Sequence, residues 1–99
     1  MEQQPLPQHL QWTPHARMRS HQRQIPEAAV RLTLESGQCL TQASGQRIYW
    51  LTRRHITTLG GEIAGQLLPR WRAFHLVVVV SPSRRTVITC RWQKRAPGR

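Results

Sequence analysis

The chain contains no Asp and only four Glu, set against fifteen Lys and Arg. A Ser-His-Asp triad is therefore excluded, and no nucleophile-elbow motif supports a Glu-based variant. A Mg²⁺ site built on carboxylates is equally poorly supplied. His21, His55 and His75 share no ligand spacing, so neither zinc nor any other metal or cofactor is expected. There are two cysteines, Cys39 and Cys90, without a C-x-x-C pair. They read as reduced, small buried residues on strands, and a disulfide between them stays open if the strands are adjacent. The longest apolar run, residues 76–80, is far too short to cross a bilayer. With no charged-then-apolar leader at the amino end, the reading is a cytoplasmic protein with no membrane association.

What is present is positive charge. Ninety-nine residues suffice for one domain with a modest core, and the formal net charge is +11. Such an imbalance favours a polyanionic partner. Fourteen of the fifteen cations are Arg, which suits bidentate phosphate contacts and stacking on bases. The bland alternative is a coding bias that enriches Arg without function.

Taken along the chain, residues 1–7 read as a loose tail, residues 8–93 as a single domain and residues 94–99 as a basic tail. Residues 8–12 suit a short extended segment. Thr13 is a natural helix N-cap, and Pro14 suits the first helical turn. His15, Arg19 and Arg23 then recur at every fourth position, one face of a helix. A second helix is expected from Pro26, with Ile25, Ala29, Val30 and Leu34 inward and Gly37 as a left-handed cap. Ser44-Gly45 marks a hairpin between residues 38–43 and 46–51. In its second strand Ile48 and Trp50 read as the core face, with Arg47, Tyr49 and Leu51 opposite.

Residues 52–68 carry Ile56, Leu59, Ile63 and Leu67 at helical spacing, interrupted by Gly60-Gly61 and ended by Pro69. Residues 74–80 form a β-branched run, expected as a central strand covered on both faces, or covered on one and lightly exposed on the other. After a turn at residues 81–85, alternation over residues 86–92 puts Ile88, Cys90 and Trp92 in the core and Val87, Thr89 and Arg91 on the opposite side. The expected architecture is α+β: N-terminal helices packed on a four-stranded, mostly antiparallel sheet, with a helix between the two hairpins.

The run His15-Ala16-x-x-Arg19-x-x-x-Arg23-x-Ile25 resembles the signature H-A-x-x-R-M-x-x-R-G-I of the family grouped as domain of unknown function 4258. The resemblance continues through the second helix, the hairpin at Gly45 and the closing strand Val87-Ile88-Thr89-Cys90-Arg91, covering roughly residues 13–92. The chain departs from the pattern at Ser20, where Met is usual, and at Gln24, where Gly is usual. Those departures fit either altered packing or an inactive member. The resemblance implies the fold shared by barnase, colicin nucleases and RelE-type toxins, with RNA on an open sheet face; fold alone does not license that function.

Metal-independent RNA cleavage needs an acid or base for the 2′-OH and the leaving oxygen, and cations for charge developing on the phosphate. His15 is the candidate acid or base; Arg19 and Arg91 are the candidate transition-state cations, and Thr89 with Arg23 would orient the backbone. Arg17, Arg23, Arg47 and Tyr49 are the candidate nucleic-acid contacts. Each has a plainer reading: His15 as a surface or capping residue, Thr89 as a strand former, Arg91 as a charge on a sheet edge. A non-catalytic module that docks RNA through Arg and stacks bases on Tyr49, Trp50 or Trp71 uses the same surface. So does a toxin-like domain held by an acidic antitoxin protein.

Overall fold

A computed structural model describes residues 6–51 and 75–97 of the chain. The expected helix over residues 52–68, together with Trp71 and His55, lies outside the described residues. Within them the order is β1 (Gln11–Trp12), α1 (Pro14–Gln22), α2 (Glu27–Ser36), β2 (Gln38–Thr41), β3 (Arg47–Leu51), β4 (His75–Val80) and β5 (Thr86–Gln93). The class is α+β as expected, but the sheet has five strands in the order β1-β5-β4-β3-β2. The fifth strand is the short segment before α1, which pairs parallel to β5 through Gln11 with Thr86 and Trp12 with Val87. All other pairings are antiparallel, so the sheet is mixed.

The start of α1 follows from local chemistry. Thr13 is extended, and its hydroxyl accepts the Ala16 N–H at 3.0 Å, satisfying one of the donors that a helix N-terminus leaves orphaned. Between the helices Gln24 takes φ +54, a conformation that glycine adopts at no steric cost and that suits the Gly of the signature this run resembles. The Ser20 hydroxyl donates to the Ile25 carbonyl at 2.8 Å across this turn. That bond gives the departure from Met at position 20 a structural role.

Helix α2 buries Ala29, Val30, Thr33 and Leu34, with Ile25 beside them. Gly37 ends it, though not as a left-handed cap, since its backbone is extended at φ −81, ψ 167. Glycine is required there by close approach. A Cβ at position 37 would stand 2.6 Å from the Trp50 carbonyl oxygen and closer still to that of Thr33. The left-handed glycine is Gly45, at φ +90 in the β2–β3 turn. At the amino end Leu6 packs against the core, and Arg31 donates to the carbonyls of Pro7 and Gln8.

The sheet is covered on both faces. The helix side holds the main cluster, including Leu10, Ala16, Val30, Leu34, Tyr49, Leu51, Leu76, Val78, Val80, Val87 and Cys90. The far side holds a second cluster in which Val77 is fully buried and Ile48, Trp50 and Val79 are each 7 % exposed. Two sequence expectations are corrected here. Tyr49 and Leu51, read as the outer face of β3, belong to the helix-side core, while Ile48 and Trp50 belong to the smaller far-side cluster. The expected open sheet face is also closed over β3 and β4, which removes it as a broad platform for RNA.

A bulge shifts the last strand. Val79 pairs with Thr89 but Val80 pairs with Val87, leaving Ile88 as the extra residue. Val87 therefore turns into the helix-side core and Ile88 out of it, against simple alternation. Beyond the bulge the expected phase returns, with Cys90 buried beside the helices. Cys39, on β2, is exposed rather than buried. Three strand spacings separate β2 from β5, about 14 Å, too far for the disulfide left open above.

Candidate nucleic-acid interface

Helix α1 follows β1 along β5 and is fastened at both ends to the part of that strand beyond the β1 pairing. At the N-terminus the Thr13 N–H donates to the Val87 carbonyl at 3.1 Å and its hydroxyl donates to the Ile88 carbonyl at 3.0 Å. The bulge makes this possible by turning two consecutive carbonyls outward. At the C-terminus the Arg23 guanidinium donates to the Cys90 carbonyl at 2.8 Å, and the Trp92 indole N–H donates to the Arg23 carbonyl at 3.4 Å. An edge strand that would otherwise offer unpaired carbonyls is thereby closed.

This fastening turns one side of α1 to solvent. His15, Arg17 and His21 are exposed and Arg19 is half-buried, on a nine-residue helix that carries no acid. Arg17 lies over the Trp12 ring, its guanidinium carbon 4.6 Å from the centroid. It also reaches Glu27 at 3.7 Å, an exposed pair that contributes little to stability. Arg19 donates to the Gln22 side chain at 3.2 Å. Where α1 meets α2, a groove of about 470 Å³ opens between Arg17, Ser20, His21, Gln24, Pro26 and Glu27. In the sequence His21 figures only as a histidine without ligand spacing, and Trp12 only as the end of a short extended segment. Trp12 precedes a helix by two residues, and only the tertiary contact with Arg17 marks it.

The remaining candidates are dispersed. Arg23 sits at the helix end, and its guanidinium is used in holding β5. Thr89 and Arg91 do point together, opposite Val79 and Val77 on the face away from the helices. Both are half-buried, and Arg91 donates to the Gln93 side chain at 3.0 Å. Among the described residues no hydrogen bond, ion pair or ring contact joins His15 or Arg19 to Thr89 or Arg91. Arg47 is half-buried on β3, near the other edge of the sheet. Tyr49 has no exposed surface, so it offers no ring for a base to stack on. Burial pushes its phenol above the ordinary tyrosine range, with Arg47 pulling the other way. Burial likewise raises the Cys90 thiol, partly offset by the Arg23 guanidinium.

Arg84 escaped sequence reasoning altogether. In the turn before β5 it takes φ +65 and is 7 % exposed. Its guanidinium donates to the Leu34 carbonyl at 2.9 Å and stands 5.4 Å from the Tyr49 ring centroid. A cation on the last turn of α2 satisfies an orphan carbonyl and suits the negative end of the helix dipole. Its role is to tie the turn to the helix.

The chain, whose H-A-x-x-R helix is clamped to a mixed α+β sheet, is matched over residues 12–91 by the family model Domain of unknown function (DUF4258). The chain belongs to that family. No curated protein and no solved structure matches it.

Proposed function

We propose that the protein is a small RNA-interacting protein whose contact surface is the solvent side of α1. The observation that carries this reading is that His15 with Arg19, and Arg17 with His21, reach the surface as two basic stripes on one acid-free helix of a chain with net charge +11. Phosphate neutralisation by such stripes supplies sequence-independent affinity through counterion release. Trp12, already engaged with Arg17, adds an aromatic edge beside it.

Metal-independent cleavage is the second reading, favoured by Thr89 and Arg91 sharing one face of β5. In it His15 exchanges the proton, Arg19 and Arg91 stabilise the charged phosphate, and a bound RNA strand wraps the β5 edge to meet both groups. An acidic protein of antitoxin type would compete for the same cations.

Labelled single-stranded RNA in EDTA tests these readings together. The wild type should retain RNA with a steep salt dependence, and each of Arg17→Gln and Arg19→Gln should reduce the slope of log K against log salt by about 0.7. Fragments ending in cyclic phosphate from the wild type, absent with His15→Ala, would establish cleavage. Retention without fragments leaves a binding module. No retention at about 50 mM salt, where such contacts are strong, refutes the proposal.

A further inference from the structure

The opposite edge of the sheet carries a second group of polar side chains, remote from α1. All four residues of β2 are exposed, including Cys39. The register places Cys39 opposite Tyr49 and Thr41 opposite Arg47. The Gln42 N–H donates to the Gln46 carbonyl at 2.8 Å, and alternation from that hydrogen-bonded pair makes Cys39 and Tyr49 a non-hydrogen-bonded pair, whose side chains stand closest. Arg47 and Tyr49, two residues apart, share the same face.

Tyr49 is fully buried, yet among the described residues its hydroxyl has no hydrogen-bond partner of good geometry. The polar groups that act on it are the Arg47 guanidinium and the Cys39 thiol, with Arg84 over its ring contributing less. A buried donor whose nearest acceptor is a thiol, a weak and poorly placed one, is costly to keep. Here it is aimed at an exposed nucleophile flanked by a cation, an arrangement that an anionic acceptor bound at Cys39 would complete.

We propose that Cys39 is a modification site for a small anionic disulfide of the glutathione type. The Cys39 thiol loses its proton to solvent, and its sulfur attacks one sulfur of the disulfide. A new S–S bond forms as the old one breaks, and the second half leaves as a thiolate. The protein sulfur is oxidised and the departing sulfur reduced, so no further oxidant is needed. Arg47 pairs with a ligand carboxylate, and the Tyr49 hydroxyl donates to an acceptor on the attached group. Cys90, buried and unreachable, supplies an internal control.

The test measures exchange rates by intact-protein mass spectrometry, using glutathione disulfide and the cationic disulfide cystamine. Relative to the urea-unfolded chain, native Cys39 should favour glutathione disulfide over cystamine by about tenfold, as expected for one close charge contact. Arg47→Gln should remove most of that preference, and Arg47→Lys should restore part of it. Tyr49→Phe should slow glutathione exchange about threefold, the loss of one hydrogen bond, without altering the charge preference. Protection of Cys90 reports that each variant is folded. A charge preference unchanged in Arg47→Gln, or Cys39 reacting no faster when native than when unfolded, overturns the proposal.

Discussion

Gly37 offers the sharpest test of the packing between α2 and β3, because two explanations for the same glycine predict opposite orders of damage. A left-handed cap would tolerate Asn better than Ala, since Asn visits positive φ more readily. The structure shows extended backbone instead, with a prospective Cβ 2.6 Å from the Trp50 carbonyl oxygen. Ordinary contact at that position begins near 3.4 Å, so the chain must yield by several tenths of an ångström between two backbone segments that cannot rotate away. Overpacking of this kind costs about 2 kcal/mol. For a chain of this length the melting temperature should fall by roughly 8–16 °C. Gly37→Ala and Gly37→Asn would be compared by urea denaturation at constant m-value. Asn should be at least as damaging as Ala. A milder effect for Asn, or a loss below about 0.5 kcal/mol for Ala, in the range of neutral surface changes, would refute the close-approach argument.

Three further outcomes follow from the fold. Thr13→Ala removes both the N-cap acceptor and the donor to the Ile88 carbonyl, and should destabilise by about 2 kcal/mol in chemical denaturation, whereas Thr13→Ser should recover most of it. Stability should fall in alkali. Burial raises the Cys90 thiol and the Tyr49 phenol in the folded state, so the native protein holds protons that the unfolded chain releases. Their contribution is complete below the ordinary thiol and phenol values and is lost as pH climbs through the raised native ones. Urea midpoints between neutral and strongly alkaline pH would show the decline, and Cys90→Ala should flatten its earlier part. Finally, Gln24→Gly should leave the fold intact and relieve the left-handed backbone at φ +54. A gain of about 0.5 kcal/mol is expected from calorimetry, after the lost side-chain contacts and added chain entropy are set against the strain.

The sequence alone determined the elements whose signals are local. Thr13-Pro14 starts a helix because capping and the missing proline N–H involve neighbours within four residues. The spacing of Ile25, Ala29, Val30 and Leu34 identifies the buried side of α2, and Ser44-Gly45 sets a hairpin through a single positive φ. The H-A-x-x-R run and the charge of +11 pointed to the same helix that carries the exposed cations. Tertiary structure decided what local pattern leaves degenerate. Along β3 every residue from Ile48 to Leu51 is buried, so alternation could not say which face meets the helices. The bulge at Ile88 depends on β4 and on Thr13, 75 residues away in the chain. Arg84 sits among serines in a turn and reads as a surface charge until the Leu34 carbonyl, 50 residues earlier, takes its proton donor. Likewise Arg23 is a candidate phosphate ligand by spacing and an edge clamp by contact. A side chain's type sets which interactions it can make, but the competition among distant partners for it is settled only when the chain is folded.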